Sequence, residues 1–230
     1  FRLMSSMRML RMKIPMNFTL EFYESEIIKL IERSGFQVDL RIRVTVYRKD
    51  GGLYLPLTNE IDYLIEVIPL TLQEFDSYEI ELYKDFPVVA SLLSTIKSNN
   101  RMLNVLASVY ADENSYQNCL LINEKKNLVE AINSNVFLIK GKDIYTPAIE
   151  SGCIKGIIRK KIIAMIQESD DYVLQETTLS PFELLKADEV FLTNSITEIQ
   201  SVDKYRKRNY QTTETNRLKD IFVQKYKVKN

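Results

Sequence analysis

Between Asp39 and Tyr47 the chain alternates, with Leu40, Ile42, Val44 and Val46 set against Arg41, Arg43, Thr45 and Tyr47. A period of two predicts a half-buried strand. Asp50-Gly51-Gly52 reads as a hairpin turn, Tyr54-Leu55-Pro56 as the start of its return, and Tyr63 to Leu70 as a further strand. Helical spacing precedes them twice. Leu3, Met7, Leu10 and Ile14 predict a helix that Pro15 ends, and Tyr23, Ile27, Leu30 and Ile31 predict one that stops at Gly35. Residues 1–70 therefore predict an N-terminal α+β domain. Residues 71–77, where periodicity lapses, predict a linker to a larger domain over 78–230.

The second domain opens on an alternating strand, Tyr78 to Tyr83, followed by the apolar, β-capable Leu92 to Ile96, which Lys97 closes. A helix then places Met102, Val105, Leu106, Val109 and Tyr110 on its inner face. From Leu120 to Ile163 the pattern is densest. Short strands at Leu120–Ile122, Leu128-Val129, Val136–Ile139 and Ile144-Tyr145 are divided by turns at 123–126 and Gly141-Lys142, and by a polar knot over 130–135. Thr146-Pro147 stops the ladder, and a helix runs from Gly156 to Ile166. Strands at 171–176 and Val190–Thr193, a helix opened by Ser180-Pro181, and a last helix carrying Leu218, Ile221 and Phe222 complete an α+β reading.

Composition narrows the chemistry. The 230 residues are 45% hydrophobic and 27% charged, ordinary for a folded soluble domain. Lys plus Arg equals Asp plus Glu at 31 each, so no net field recruits nucleic acid or an anionic membrane. No apolar run is as long as a membrane span. The basic run 203–208 lacks interleaved aromatics in a repeated spacing and reads as a solvated loop. Two cysteines, Cys119 and Cys153, predict free thiols and a cytoplasmic setting. The chain has no histidine. That removes His-based triads and His-ligated metal sites, no metal is expected, and Lys, Tyr and carboxylates remain as proton carriers.

Two features then point to a ligand. Glu130 is a carboxylate wedged among apolar strand positions, costly unless a cation or a protonated group meets it. The helix led by Gly156 offers free N–H groups of the kind that suit a phosphate. Together they predict a phosphorylated, basic cofactor. Lys97, at the end of an apolar segment, is placed where desolvation makes an amine nucleophilic.

Glu130, Ser134-Asn135-Val136-Phe137, Gly141, Tyr145-Thr146-Pro147 and Gly156-Ile157 with Arg159 resemble the class IV pyridoxal-phosphate enzymes. That family holds branched-chain and D-amino acid aminotransferases and aminodeoxychorismate lyase. The resemblance continues through Lys97-x-x-Asn100-Arg101 and Ala187 to Ser195, and covers most of the chain from Lys97 onward, in the family's order and spacing. It implies the fold-type IV architecture, with an N-terminal α/β sandwich and a larger C-terminal pseudobarrel. It implies pyridoxal 5'-phosphate as the only cofactor, in a Schiff base with Lys97. Glu130 would face the pyridine nitrogen. Arg2, from an Arg-Leu-x-x-Ser segment, would hold the phosphate with Ser195, Asn194 and the backbone of Ile157 and Ile158. The chain starts at Phe1, so the expectation is that the start of the first domain is missing.

The same resemblance implies a homodimer, with the hairpin near Asp50-Gly51-Gly52 reaching a second subunit. It also offers Arg41 and Arg43 as a substrate-carboxylate clamp, against the plainer reading of a water-facing strand surface. The substrate is an amino acid with a 2-oxo acid for an aminotransferase, or aminodeoxychorismate for the lyase; a non-catalytic relative is the third reading. Ile158 stands where the family usually has a hydroxyl, and Met102 where branched-chain enzymes place an aromatic. Asn100-Arg101 and Asn194 are closer to the lyase, whereas Thr197-Glu198-Ile199 are closer to the aminotransferases.

Overall fold

Two compact units divide the chain after Gln73. The structure, a computed structural model, describes residues 1–227.

The first unit holds α1 (Arg2–Met9), α2 (Leu20–Ser34), β1 (Leu40–Arg48) and β2 (Ile61–Pro69). Thr19 caps α2 by accepting the Phe22 N–H at 3.2 Å, and Gly35 ends it at φ 67°. β1 and β2 run antiparallel, from Leu40 opposite Pro69 to Arg48 opposite Ile61. Met7, Phe18 and Ile61 form the core, with Phe22, Tyr23 and Tyr63 packed around the Phe18 ring.

Two expectations for this unit change. α1 stops at Met9 rather than at Pro15, because Arg11 takes φ 55° and Met12 N–H turns back to the Met7 carbonyl. The return strand starts at Ile61, not at Tyr54. Residues 49–60 instead form a long loop, kinked at Gly51 and Gly52 (φ 115° and 84°) and closed by a bridge from Gly52 to Pro56. A β-carbon on Gly52 would lie 2.0 Å from the Leu55 carbonyl oxygen, so only glycine fits there. Leu53, Tyr54, Leu55 and Leu57 project outward from this loop, each at least 81% exposed.

The second unit contains β3 (Glu79–Val88), α3 (Met102–Glu113), β4 (Asn118–Asn123), β5 (Leu128–Ala131), β6 (Asn135–Lys140), β7 (Asp143–Pro147), α4 (Ile157–Gln167) and β8 (Val173–Thr177). It continues through α5 (Glu183–Lys186), β9 (Glu189–Asn194), β10 (Glu198–Val202), β11 (Lys204–Tyr205), β12 (Arg208–Asn209) and α6 (Thr213–Tyr226). The strands form two five-stranded sheets, ordered β12-β11-β3-β4-β5 and β10-β9-β6-β7-β8. The chain passes from one to the other between Ala131 and Asn135.

Both faces of β6 and β9 are covered, which explains their unbroken apolar runs. Val136, Leu138, Val190 and Leu192 meet Ile80, Leu82, Leu120 and Leu128 of the other sheet. Phe137, Ile139 and Phe191 face Ile158, Ile162 and Ile166 of α4 and Leu218 and Phe222 of α6. Phe137 and Phe191 lie directly opposite in the ladder and stack with centroids 4.9 Å apart.

Several readings of this unit are corrected. Residues 92–96 are not extended; Leu93–Thr95 form a 3₁₀ turn. The inner face of α3 is Ala107 and Ala111 with Leu103 and Tyr110, while Met102, Val105, Leu106 and Val109 are 40–74% exposed. Apart from the stripe of Asn104, Ser108 and Asp112 that helix is apolar, so period alone does not select between its remaining faces, and the small alanines permit the closer approach. Ser180-Pro181 opens a turn, and α5 starts only at Glu183. The basic run is not a solvated loop. Lys204 pairs with Glu79 at 2.9 Å, Arg206 with Glu81 at 3.1 Å, and Arg208 donates to the Ala187 carbonyl. Among the described residues no helix is long and apolar enough to cross a membrane.

Candidate active site

Glu130 sits inside β5, opposite Leu121 of β4, and is 5% exposed. The polar knot is therefore shorter than its sequence implies, because the acid belongs to the strand. Its Oε2 accepts the Ile154 N–H at 2.8 Å, and Arg101 Nη1 stands 4.0 Å from Oε1. Burial pushes the carboxyl up to about 7, against the Ile154 N–H and the charges of Arg101 and Lys97, which favour the ionised form. Lys97 is thus brought near Glu130. It is exposed, directly after the buried Thr95 and Ile96, at the exit of a 3₁₀ turn rather than of a strand.

The loop before α4 is fixed from several sides. Gly152 packs so closely on the segment leading to Lys97 that a β-carbon there would be 3.1 Å from Ala90 Cα. Asn135, the first residue of β6, donates through Nδ2 to the Ile154 carbonyl at 2.9 Å. Its Oδ1 would lie 2.0 Å from a β-carbon on Gly156, the N-cap of α4. Gly156 is therefore required by the buried amide rather than by its backbone angles. The N–H groups of Ile157 and Ile158 have no acceptor among the described residues, the ordinary condition of a first turn that an anion can occupy.

Asn194 and Ser195 come to the neighbouring end of β9. Asn194 is used by the fold: its Oδ1 accepts the N–H of Ile196 and Thr197, and its Nδ2 donates to Ser134 Oγ at 2.9 Å. It shapes the turn that leaves Ser195 exposed. Opposite Asn135 in the ladder, Thr193 is buried, and its Oγ1 has no partner among the described residues. Arg159, a residue of the sequence resemblance, is buried and ties α4 to the Pro147 carbonyl at 2.9 Å and to Glu176 at 2.7 Å.

Arg2, Arg41 and Arg43 belong to the first unit. Arg2 opens α1 half-buried, which lowers its pKa below the usual guanidinium value. Arg41 and Arg43 occupy the exposed part of β1, and Arg43 faces Glu66 across the strand pair at 3.6 Å.

The comparisons with known proteins accord with this geometry. The sequence model described as amino-transferase class IV matches residues 1–205. The chain belongs to the class IV aminotransferase family. The aminodeoxychorismate lyase of Vibrio harveyi is 29% identical over 114 residues, which are 50% of this chain and 42% of that protein. A probable branched-chain-amino-acid aminotransferase of Aquifex aeolicus is 26% identical over 249 residues, 98% of this chain and 77% of that one. The branched-chain aminotransferase of Thermobaculum terrenum, solved in its PLP form, superposes with a TM-score of 0.84 at 24% identity, covering 97% of this chain and 75% of that one. The chain spans less than half the length of the Vibrio lyase.

Class IV aminotransferases depend on pyridoxal phosphate, and the second unit fits that group. It offers a buried carboxyl for a ring nitrogen, an amine whose charge reaches that carboxyl, and for a phosphate a helix first turn with the buried, unpartnered Thr193 hydroxyl on the strand beside it. Sequence reasoning assigned no role to Asn135 or Arg101. The signal for Arg101 was faint: a helix whose N-cap is neither Ser, Thr, Asp nor Asn must satisfy that end by other means.

Proposed function

We propose that this class IV family member is an aminotransferase that moves an amino group between an amino acid and a 2-oxo acid, with pyridoxal phosphate as cofactor. The observation that carries the reading is Glu130, a carboxyl buried within β5 whose Oε2 accepts the Ile154 N–H of the loop that opens α4 and whose charge Lys97 and Arg101 stabilise. Bound pyridoxal phosphate supplies an aldehyde for an amine and a protonatable pyridine ring that draws electrons from the adjacent carbon.

Lys97 Nζ would be the amine that holds the cofactor by its aldehyde and the base at the substrate Cα. Glu130 would hold the proton on the ring nitrogen, and the Ile154 N–H and Arg101 favour its ionised form for that task against the cost of burial. The N–H groups of Ile157 and Ile158 and the Ser195 hydroxyl would bind the phosphate, and the family resemblance gives Arg2 the same role. Asn194 acts through the turn that presents Ser195. Ile158 contributes only its backbone donor, since it has no hydroxyl. Arg41 and Arg43 receive the substrate carboxylate, and the active form is a homodimer.

A second reading, aminodeoxychorismate lyase, is favoured by Asn100-Arg101 and by the Vibrio relative's name. A half-reaction separates the two. An aminotransferase mixed with excess amino acid, without oxo acid, converts its cofactor to the pyridoxamine form, seen as a loss of visible absorbance. Release of pyruvate from aminodeoxychorismate, with no conversion by any L- or D-amino acid, would replace the first reading by the second.

A further inference from the structure

Arg101 opens α3, yet its side chain turns back instead of following the helix. Nη2 donates to the Ile96 carbonyl at 2.7 Å and Nε to the Ser98 carbonyl at 3.2 Å, the residues on either side of Lys97. Nη1, the third corner of the same planar group, stands 4.0 Å from Glu130 Oε1. The Arg101 side chain is 27% exposed and that of Glu130 6%, so water screens this contact little.

We propose that Arg101 is a positioning residue that yokes the Lys97 loop to Glu130 through one guanidinium. The role rests on the reading of Lys97 and Glu130 given above. Its chemistry requires arginine. A rigid fork with five donors holds two carbonyls and still faces a carboxylate, whereas a lysine ammonium carries the charge on a flexible stem without the fork. Without Arg101 the Ser98 carbonyl loses this donor and the Ile96 carbonyl keeps only the Ser98 N–H at 2.9 Å, which loosens the loop bearing Lys97. The other groups that act on Glu130 are Lys97 and the Ile154 N–H, while the buried thiol of Cys153 feels its charge. Arg101 is the less exposed of the two cations in the set, and its loss disfavours the ionised carboxylate.

The test uses the full chain without cofactor, with R101M removing fork and charge and R101K keeping the charge alone. Amide hydrogen exchange over residues 94–101 is expected to quicken by about tenfold or more in both variants, the scale of one charge-assisted hydrogen bond, while strands β6 and β9 stay protected. The Glu130 titration, read from the pH dependence of unfolding free energy, is expected to move upward in R101M and to return in R101K. Exchange within about twofold of the parent in both variants would overturn the proposal. So would a Glu130 titration unmoved in R101M. Should R101M fail to fold, exchange in R101K decides alone. If the cofactor attaches to another lysine, the reading of Lys97 fails, but these measurements, made without cofactor, still report whether Arg101 yokes the loop.

Discussion

Glu130 Oε2 accepts the main-chain N–H of Ile154 at 2.8 Å, which ties the buried carboxyl of β5 to the loop that opens α4. One hydrogen bond thus links the group proposed for the ring nitrogen to the turn proposed for the phosphate, and strain at either end reaches the other.

The first consequence is a pH dependence of stability. The folded Glu130 pKa lies at about 7, above its ordinary value of 4.5, so between those values the folded protein binds more protons than the unfolded chain. Stability from this group is full below pH 4.5 and is lost as pH rises through about 7, by roughly 3 kcal/mol. The chain has no histidine to obscure that window. Urea unfolding of the cofactor-free protein between pH 4 and 8 should show the fall, and Glu130→Gln should flatten it. In the loaded enzyme the same change should lower kcat about 10²–10³-fold with cofactor still bound. A Glu130→Gln variant with near-parental turnover would refute the assigned role.

Gly156 gives a second prediction. A methyl there overlaps Asn135 Oδ1, so Gly156→Ala should cost about 1–3 kcal/mol by overpacking and weaken phosphate binding at the α4 turn. Asn135→Ala made with it should recover part of that stability. Additive losses in the double-mutant cycle would show that the two residues do not compete for space.

Much of this was legible in the sequence, unevenly. The apolar runs of β4, β6 and β9 were readable because both faces of these strands are buried, and the alternation of Leu40 to Tyr47 marked β1 as a strand although Ile42 is exposed. Glu130 and Gly156 stood out as residues at odds with their neighbours. The inner face of α3 was not readable, since Ala107 and Ala111 are outweighed in any pattern by the larger apolar residues that face outward. Nor were the strands β11 and β12, which depend on partners as distant in sequence as Glu79 and Ile80. Arg101 was missed for a different reason: its fold-back onto Ile96 and Ser98 is a matter of rotamer, which residue type does not encode.

For the substrate carboxylate, Arg41→Ala and Arg43→Ala should each raise KM for the 2-oxo acid by about one to two orders of magnitude, the ~1.5–3 kcal/mol of a charge-assisted hydrogen bond. Arg43 already meets Glu66, so Glu66→Gln serves as a control that removes the pair and keeps the cation. An unchanged KM in both arginine variants would return β1 to the status of a water-facing strand.

The loop 49–60 carries Leu53, Tyr54, Leu55 and Leu57 outward, an apolar surface consistent with the proposed homodimer. Sedimentation equilibrium should give a dimer at micromolar concentration, and Leu55→Glu with Leu57→Glu should shift it towards monomer with loss of activity. A fully active monomer would end the proposal.

Lys97 is proposed as the amine that holds the cofactor. Borohydride reduction of the protein loaded with pyridoxal phosphate, followed by peptide mapping, tests it most directly. The modified residue should be Lys97, and Lys97→Ala should leave the cofactor removable by dialysis with no residue modified. Cofactor fixed to a different lysine, or still fixed in the Lys97→Ala protein, would contradict it.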